Sequence, residues 1–213
     1  VTNKLTGCRN TATVLVVDDQ EKPVITLSKT DNSICDASLT DPLINFNGTA
    51  RLQSVTYRGA TINDPGPFTG FTFAWVSTET TSSISGKDNG DYTLRVTHAT
   101  HDCESDPVTI TINDDVDLPV LVTTSTPSTN CLGAPNGSAE LTTVDGTLVS
   151  ATTDYGYQWH TGAGTGTPIL VGTNVTAEDA KLDNVQGGAT NNYTIQVTNK
   201  LTGCRNTATV LVV

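Results

Sequence analysis

Residues 1–17 read VTNKLTGCRNTATVLVV, and residues 197–213 read the same, position for position, at an offset of 196. Chance does not give identity over such a stretch. Similarity at a fixed period marks an array of structural units. The expectation is a parent protein that repeats every 196 residues, with this chain as one period plus an overlap. The absence of any Met, position 1 included, suits a piece taken from the interior of something longer.

Each period holds two weaker half-repeats. Lys22-Pro23-Val24-Ile25 corresponds to Leu118-Pro119-Val120-Leu121, and Cys35 to Cys131, both at an offset of 96. Asn47-Gly48-Thr49-Ala50 matches Asn136-Gly137-Ser138-Ala139. Phe73-Ala74-Trp75 matches Tyr157-Gln158-Trp159. The segment Tyr92 to Thr97 matches Tyr193 to Thr198, and Cys103 and Cys204 each lie 11 residues beyond their Tyr. The order Pro, Cys, Asn-Gly, Trp, Tyr, Cys therefore occurs twice. It divides the chain into 1–21, the terminal strands of a preceding repeat plus a linker, then module 1 (22–115) and module 2 (116–213).

Short β-branched runs broken by turn residues predict about seven strands in each module. In module 1 they fall near 23–28, 34–39, 48–57, 70–77, 81–85, 91–98 and 107–113. In module 2 they fall near 119–124, 137–144, 155–160, 167–171, 180–185, 192–199 and 207–213. Tyr92, Leu94 and Val96 alternate with Thr93, Arg95 and Thr97, so one set faces a core and the other water. Strands at this spacing predict an all-β chain of two tandem immunoglobulin-like β-sandwiches, with Trp75, Trp159, Tyr92 and Tyr193 in the structural core. Thr165 to Val171 reads as an extra hairpin, and one helical turn is expected near Ala177 to Lys181.

The chain has five cysteines, Cys8, Cys35, Cys103, Cys131 and Cys204. Sequence leaves their pairing open, and the repeat narrows it. Each module has one early and one late Cys, so the expected disulfides are Cys35–Cys103 and Cys131–Cys204, with Cys8 missing its partner. Closing such loops would stabilise each module by roughly 4 kcal/mol in the chain-entropy view, in an oxidising compartment. The rival reading is reduced thiols or metal ligands. His98, His101 and Cys103 cluster, although zinc would need a fourth ligand and no disulfide.

Lys and Arg total 11 against 22 Asp and Glu, a net charge of −11. Such a surface repels phosphates and anionic headgroups, which argues against a nucleic-acid partner. No apolar run of about 18 residues is present to span a membrane as a helix. There is no nucleophile elbow, phosphate loop or His-Glu-x-x-His pair, and the chain is read as no enzyme.

The twofold pattern resembles the SprB-type repeats of giant adhesins from gliding and related Bacteroidetes. The matching residues are Cys35, Asn47 to Ala50, Trp75, Tyr92 to Thr97 and Cys103, and then Cys131, Asn136 to Ala139, Trp159, Tyr193 to Thr198 and Cys204. The resemblance covers nearly all of the chain. It implies export by the type IX secretion route, display on the cell surface, and a stalk or adhesive role in attachment and gliding.

Acidic residues gather at the module junctions: Asp18, Asp19 and Glu21 before Pro23, and Asp114, Asp115 and Asp117 before Pro119. Carboxylates and carbonyls at a hinge suit Ca²⁺, which makes Asp18, Asp19, Asp114, Asp115 and Asp117 the candidate ligands. The alternative is a solvated linker whose Pro limits bending. Asp88-Asn89-Gly90-Asp91 reads better as a turn than as a calcium loop. The leading functional reading is a structural stalk or filament whose partners are neighbouring repeats of the same polypeptide. The alternative is an adhesive module gripping a polysaccharide or protein, with the Gly-rich loop Thr161 to Thr167 as its best surface. Residues 1–17 are expected to be ordered only by packing against a neighbour, as a strand added to a sheet edge.

Overall fold

A computed structural model describes residues 1–16, 20–39, 44–149, 154–169 and 180–213. Its first eight strands are β1 (Val24–Thr30), β2 (Gly48–Tyr57), β3 (Ala60–Asn63), β4 (Phe71–Trp75), β5 (Ser83–Lys87), β6 (Gly90–His98), β7 (Cys103–Glu104) and β8 (Val108–Ile112). The next eight are β9 (Leu121–Thr126), β10 (Gly137–Val144), β11 (Thr147–Leu148), β12 (Tyr155–Thr161), β13 (Thr167–Pro168), β14 (Lys181–Val185), β15 (Asn192–Asn199) and β16 (Arg205–Leu211). They form four sheets. In one, β2 pairs with β1, β3 and β5; in another, β6 pairs with β4, β7 and β8. In the later half, β10 pairs with β9, β11 and β14, and the fourth sheet runs β13-β12-β15-β16. The chain is all-β, with two immunoglobulin-like sandwiches in tandem.

The chain divides into two compact units. Unit 1 comprises Val1–Thr26, Leu52–Ser82 and Thr93–Val108. Unit 2 comprises Leu27–Arg51, Ser83–Tyr92 and Thr109–Val213. Unit 2 thus holds the whole later sandwich together with the segment that carries Cys35.

Within unit 1, Leu52, Val55, Trp75, Leu94 and Val96 are buried. The Trp75 indole N–H donates to the Thr81 carbonyl at 2.9 Å, which satisfies its one polar atom. Within unit 2, one core gathers Ala139, Leu141, Val144 and Leu182 from one sheet with Trp159, Ile195 and Val197 from the other. Tyr193 is buried and donates its hydroxyl to Gln186 O at 3.1 Å. Tyr92 makes the corresponding bond to Asp88 O at 3.0 Å, but it is half-buried and not a full core residue.

Strands β2 and β10, which occupy corresponding positions in the two sandwiches, share an irregularity. Ala50 and Leu52 face inward two residues apart, and the next buried apolar residue, Val55, is three further on. Ala139, Leu141 and Val144 repeat this spacing, and the β10–β9 register shifts between Leu141 and Thr143. One extra residue at that point keeps the apolar face inward through the bend.

Several expected elements shift. The strand expected at 34–39 is a loop. Asn32, fully buried, bonds Ile34 through both side-chain polar atoms (2.9 and 3.2 Å) and donates to Asp114 Oδ1 at 3.1 Å. That side chain offers the backbone a turn in place of a ladder. Two hairpins were not expected. Arg58-Gly59 (φ 50° and 74°) closes β2–β3, and Asp145-Gly146 (φ 50° and 76°) closes β10–β11. Positive φ at both turn positions matches the twist of the flanking strands. Of the extra hairpin expected at Thr165 to Val171, Thr167–Pro168 forms β13, which pairs back onto β12 (His160 with Pro168, Thr161 with Thr167), while 170–171 lie outside the described residues. The helical turn expected at 177–181 falls largely outside the described residues.

Gly137 opens β10 where no side chain fits. A Cβ there would lie 2.7 Å from Val185 O and 2.7 Å from Val212 Cγ1. Gly137→Ala should therefore destabilise the protein by about 1–3 kcal/mol through overpacking, read as a lowered midpoint in thermal melting. An unchanged midpoint would refute this packing.

Candidate site: a covalent joint between sandwiches

The antiparallel order decides which cysteines can meet. In the later sandwich, Cys131 lies in the β9–β10 loop, and Ser128 N in that loop bonds Val213 O at 2.8 Å. The loop therefore sits where β16 ends, beside the Asn192↔Leu211 pair that starts β15. Cys204 lies at the other end of β15, in the turn after Asn199. The eight residues of β15 separate the two ends, a span of about 25 Å at ~3.3 Å per residue. A disulfide needs its Cα atoms within about 7 Å. Cys131–Cys204 is thus excluded by topology. Cys35 and Cys103 follow strands of opposite direction in the same order, and they do not pair either.

The bond that forms is Cys35–Cys204, with Cα atoms 4.8 Å apart and 169 residues between them in sequence. Both lie in unit 2. Cys8, Cys103 and Cys131 are free thiols. Both expected pairings are corrected by this: Cys35 and Cys204 are bonded, but to each other, while Cys103 and Cys131 are not bonded within the chain. The reading by module assumed that each sandwich closes on itself. The β1–β2 loop, at the end where the chain leaves the first sandwich, is instead bonded to the turn at the entry end of the second.

Polar contacts reinforce the bridge. Cys35 N donates to Thr202 O at 2.8 Å, and Arg205 donates to Asp36 Oδ2 at 3.0 Å. Gly203 lies so close that a Cβ on it would stand 2.8 Å from Asp36 O. Only glycine permits that approach, and its φ of 71° suits the turn. Cys204 is fully buried. The Asp36 carboxyl is held below its usual pKa, first by the Ser38 hydroxyl and Ser38 N–H and then by the Arg205 charge.

The linker is fastened at both ends. Asn32 N donates to Asn113 O, and Asp115 N donates to Asn32 O (2.9 and 2.7 Å). At the entry end, Asp145 N donates to Val120 O and Asp145 Oδ1 accepts Val120 N (2.9 and 2.7 Å). Asn206 Nδ2 reaches Pro119 O at 2.8 Å. Tyr155 donates its hydroxyl to Asp145 Oδ2 at 2.6 Å; burial, then that carboxylate, pushes its pKa up to about 12.

The turn that holds Cys204 is encoded locally. Gly203 N bonds Asn199 O at 2.8 Å, and Leu201 N bonds Asn199 Oδ1 at 2.8 Å. The identical residues near the N-terminus repeat both bonds while exposed: Gly7 N to Asn3 O at 2.8 Å, and Leu5 N to Asn3 Oδ1 at 3.0 Å. The turn thus forms without the packing that surrounds its second copy. Residues 1–16 otherwise show one isolated bridge, Thr2↔Arg9. The expected edge strand is not formed among them, since Val14, Leu15 and Val16 stay exposed without a ladder.

Among the described residues, the metal candidates do not assemble. Asp18 and Asp19 lie outside the described residues. Asp114 accepts a bond from Asn32, and Asp115 and Asp117 are exposed linker residues. Among the described residues no group of three His, Cys, Asp or Glu converges to hold a metal. Asp88-Asn89-Gly90-Asp91 is a turn, with Asp91 accepting from Thr111. His98, His101 and Tyr57 stack face to face (centroids 4.5 and 4.6 Å for the two His98 contacts) and do not converge on a metal. Tyr57 and His101 are joined at 3.0 Å. In the Gly-rich loop after β12, Thr194 Oγ1 accepts Gly164 N and donates to Gly162 O (3.0 and 2.8 Å). Among the described residues no helix is long and apolar enough to cross a membrane.

No family model matches this chain, and no curated protein does. Among solved structures it is similar to the three N-terminal domains of the Highly Immunogenic Outer Capsid protein (Hoc) of bacteriophage RB49. That match has 13% identity and a TM-score of 0.34, over 90% of this chain and 58% of that one. It is also similar to domains 7, 8 and 9 of the S-layer protein SbsC, with 14% identity and a TM-score of 0.30, over 88% of this chain and 60% of that one. The chain thus spans about three fifths of each of these two structures.

The bridge closes a chain segment of 169 residues, a loop whose closure is worth about 5 kcal/mol in the chain-entropy model. Cys35→Ser should lower the melting midpoint far more than Arg205→Ala, whose ion pair is partly exposed. Asp36 has a lowered folded pKa, so its contribution is complete above the unfolded carboxyl value and is lost as pH falls through the folded one. Melting of wild type should therefore fall below about pH 4 more steeply than melting of Asp36→Asn. Parallel pH profiles would contradict this role.

Proposed function

We propose that the chain is a structural repeat of an extracellular, cell-surface filament or stalk, and that its chemistry is mechanical and not catalytic. The observation that carries this reading is the Cys35–Cys204 bond, supported by the linker contacts at Asn32 and Asp145. A bond that joins consecutive sandwiches acts on more than the stability of the fold. It limits bending and separation between them under load. The disulfide points to an oxidising compartment. The net charge of −11 suits an exposed, soluble surface. The perfect 17-residue recurrence supports an array of such units. The resemblance to SprB-type repeats favours a filament that belongs to an adhesin serving attachment and gliding.

Small-angle scattering of chains with one, two and three periods tests this reading. The maximum dimension should grow linearly, by of the order of 70 Å per period if each sandwich adds the length of a ten-residue strand. Dithiothreitol should broaden the distance distribution by freeing the joints. Growth as the cube root of mass, the mark of a compact globule, would overturn it.

A further inference from the structure

Resting on the filament reading, we propose that Cys131 of one period and Cys103 of the next form a second disulfide joint, so that every junction in the array is covalently closed. The bonded joint supplies the template. Cys35 lies in a loop at the end where the chain leaves its sandwich, fixed by Asn32 N to Asn113 O at 2.9 Å. Cys131 lies in the corresponding loop, fixed by Ser128 N to Val213 O at 2.8 Å. Cys204 lies in the turn at the entry end, beside Pro119. Cys103 lies in the corresponding turn, where Lys22 pairs with Asp106 and a cleft of about 490 Å³ is lined by Gln20, Glu21, Cys103 and Glu104.

The two turns also share a backbone. Asp102 N bonds His98 O at 2.9 Å as Gly203 N bonds Asn199 O at 2.8 Å, and Asp102 and Gly203 both have positive φ, 54° and 71°. Spacing agrees as well. At an offset of 196 the next copy of Cys103 falls 168 residues beyond Cys131, against 169 from Cys35 to Cys204.

The second joint differs in its lining. Leu132 stands where Asp36 stands, and Glu104 where Arg205 stands, so the ion pair is absent. Leu132 is 97% exposed beside the free Cys131. The receiving end carries the Tyr57, His98 and His101 rings beside Cys103. An apolar side chain against aromatic rings takes the place of the ion pair. In the reaction, the two S–H bonds break and one S–S bond forms. The two protons and two electrons pass to a disulfide donor such as oxidised glutathione, which becomes two thiols.

The test uses a chain of two consecutive periods, refolded in a glutathione redox buffer, digested without reduction and mapped by mass spectrometry. A Cys131–Cys103 crosslinked peptide is expected. It should fall to background with Cys131→Ser in the first copy or Cys103→Ser in the second. It should persist with Cys131→Ser in the second copy or Cys103→Ser in the first. In the single 213-residue chain at high dilution, both thiols should stay open to alkylation. The Cys35–Cys204 crosslink reports separately on the filament reading. If that crosslink forms and Cys131–Cys103 does not, or if the latter ignores which copy is mutated, the second joint is refuted while the first stands.

Discussion

The direction in which successive strands run governs the covalent structure of this protein. In these sandwiches, the loop after the first strand and the turn before the last lie at opposite ends. With a cysteine in each, a sandwich presents one thiol where the chain enters and one where it leaves. The length of β15 separates the two by far more than a disulfide can reach. The sulfur of one sandwich is therefore directed toward its neighbour. The Cys35–Cys204 bond, the Asp36–Arg205 pair and the close approach at Gly203 all follow from that placement.

The fold was legible in the sequence because its signals are periodic and duplicated. The alternation Tyr92, Leu94, Val96 and its copy Tyr193, Ile195, Val197 required strands with one face inward, and β6 and β15 are those strands. The limits of β2, β10 and β15 agree with the expected spans. The 34–39 segment was misread because its β-forming appearance hides a buried Asn32 that bonds back to Ile34. The short hairpins at Arg58-Gly59 and Asp145-Gly146 were missed although Asp-Gly is a strong two-residue turn signal.

The joint was not legible, and the reason is physical. Aligning two half-repeats shows which cysteines are equivalent but not which are adjacent. Adjacency depends on which end of the sandwich each loop occupies. Asp114 and Asp145 face hydrogen-bond donors on the linker and its neighbours, and their work is to fix the connection between sandwiches. The turn repeated at Asn3 and Asn199 shows the converse case, in which a short sequence sets its own conformation whether exposed or packed.

If strand direction commits each module to its neighbour, oxidised protein must carry the link between positions 35 and 204. Unreduced digestion of the 213-residue chain, after blocking free thiols, reads this directly. The account requires one crosslinked pair of peptides containing Cys35 and Cys204, with Cys8, Cys103 and Cys131 all carrying the blocking group. Peptides joining Cys35 to Cys103, or Cys131 to Cys204, would contradict it.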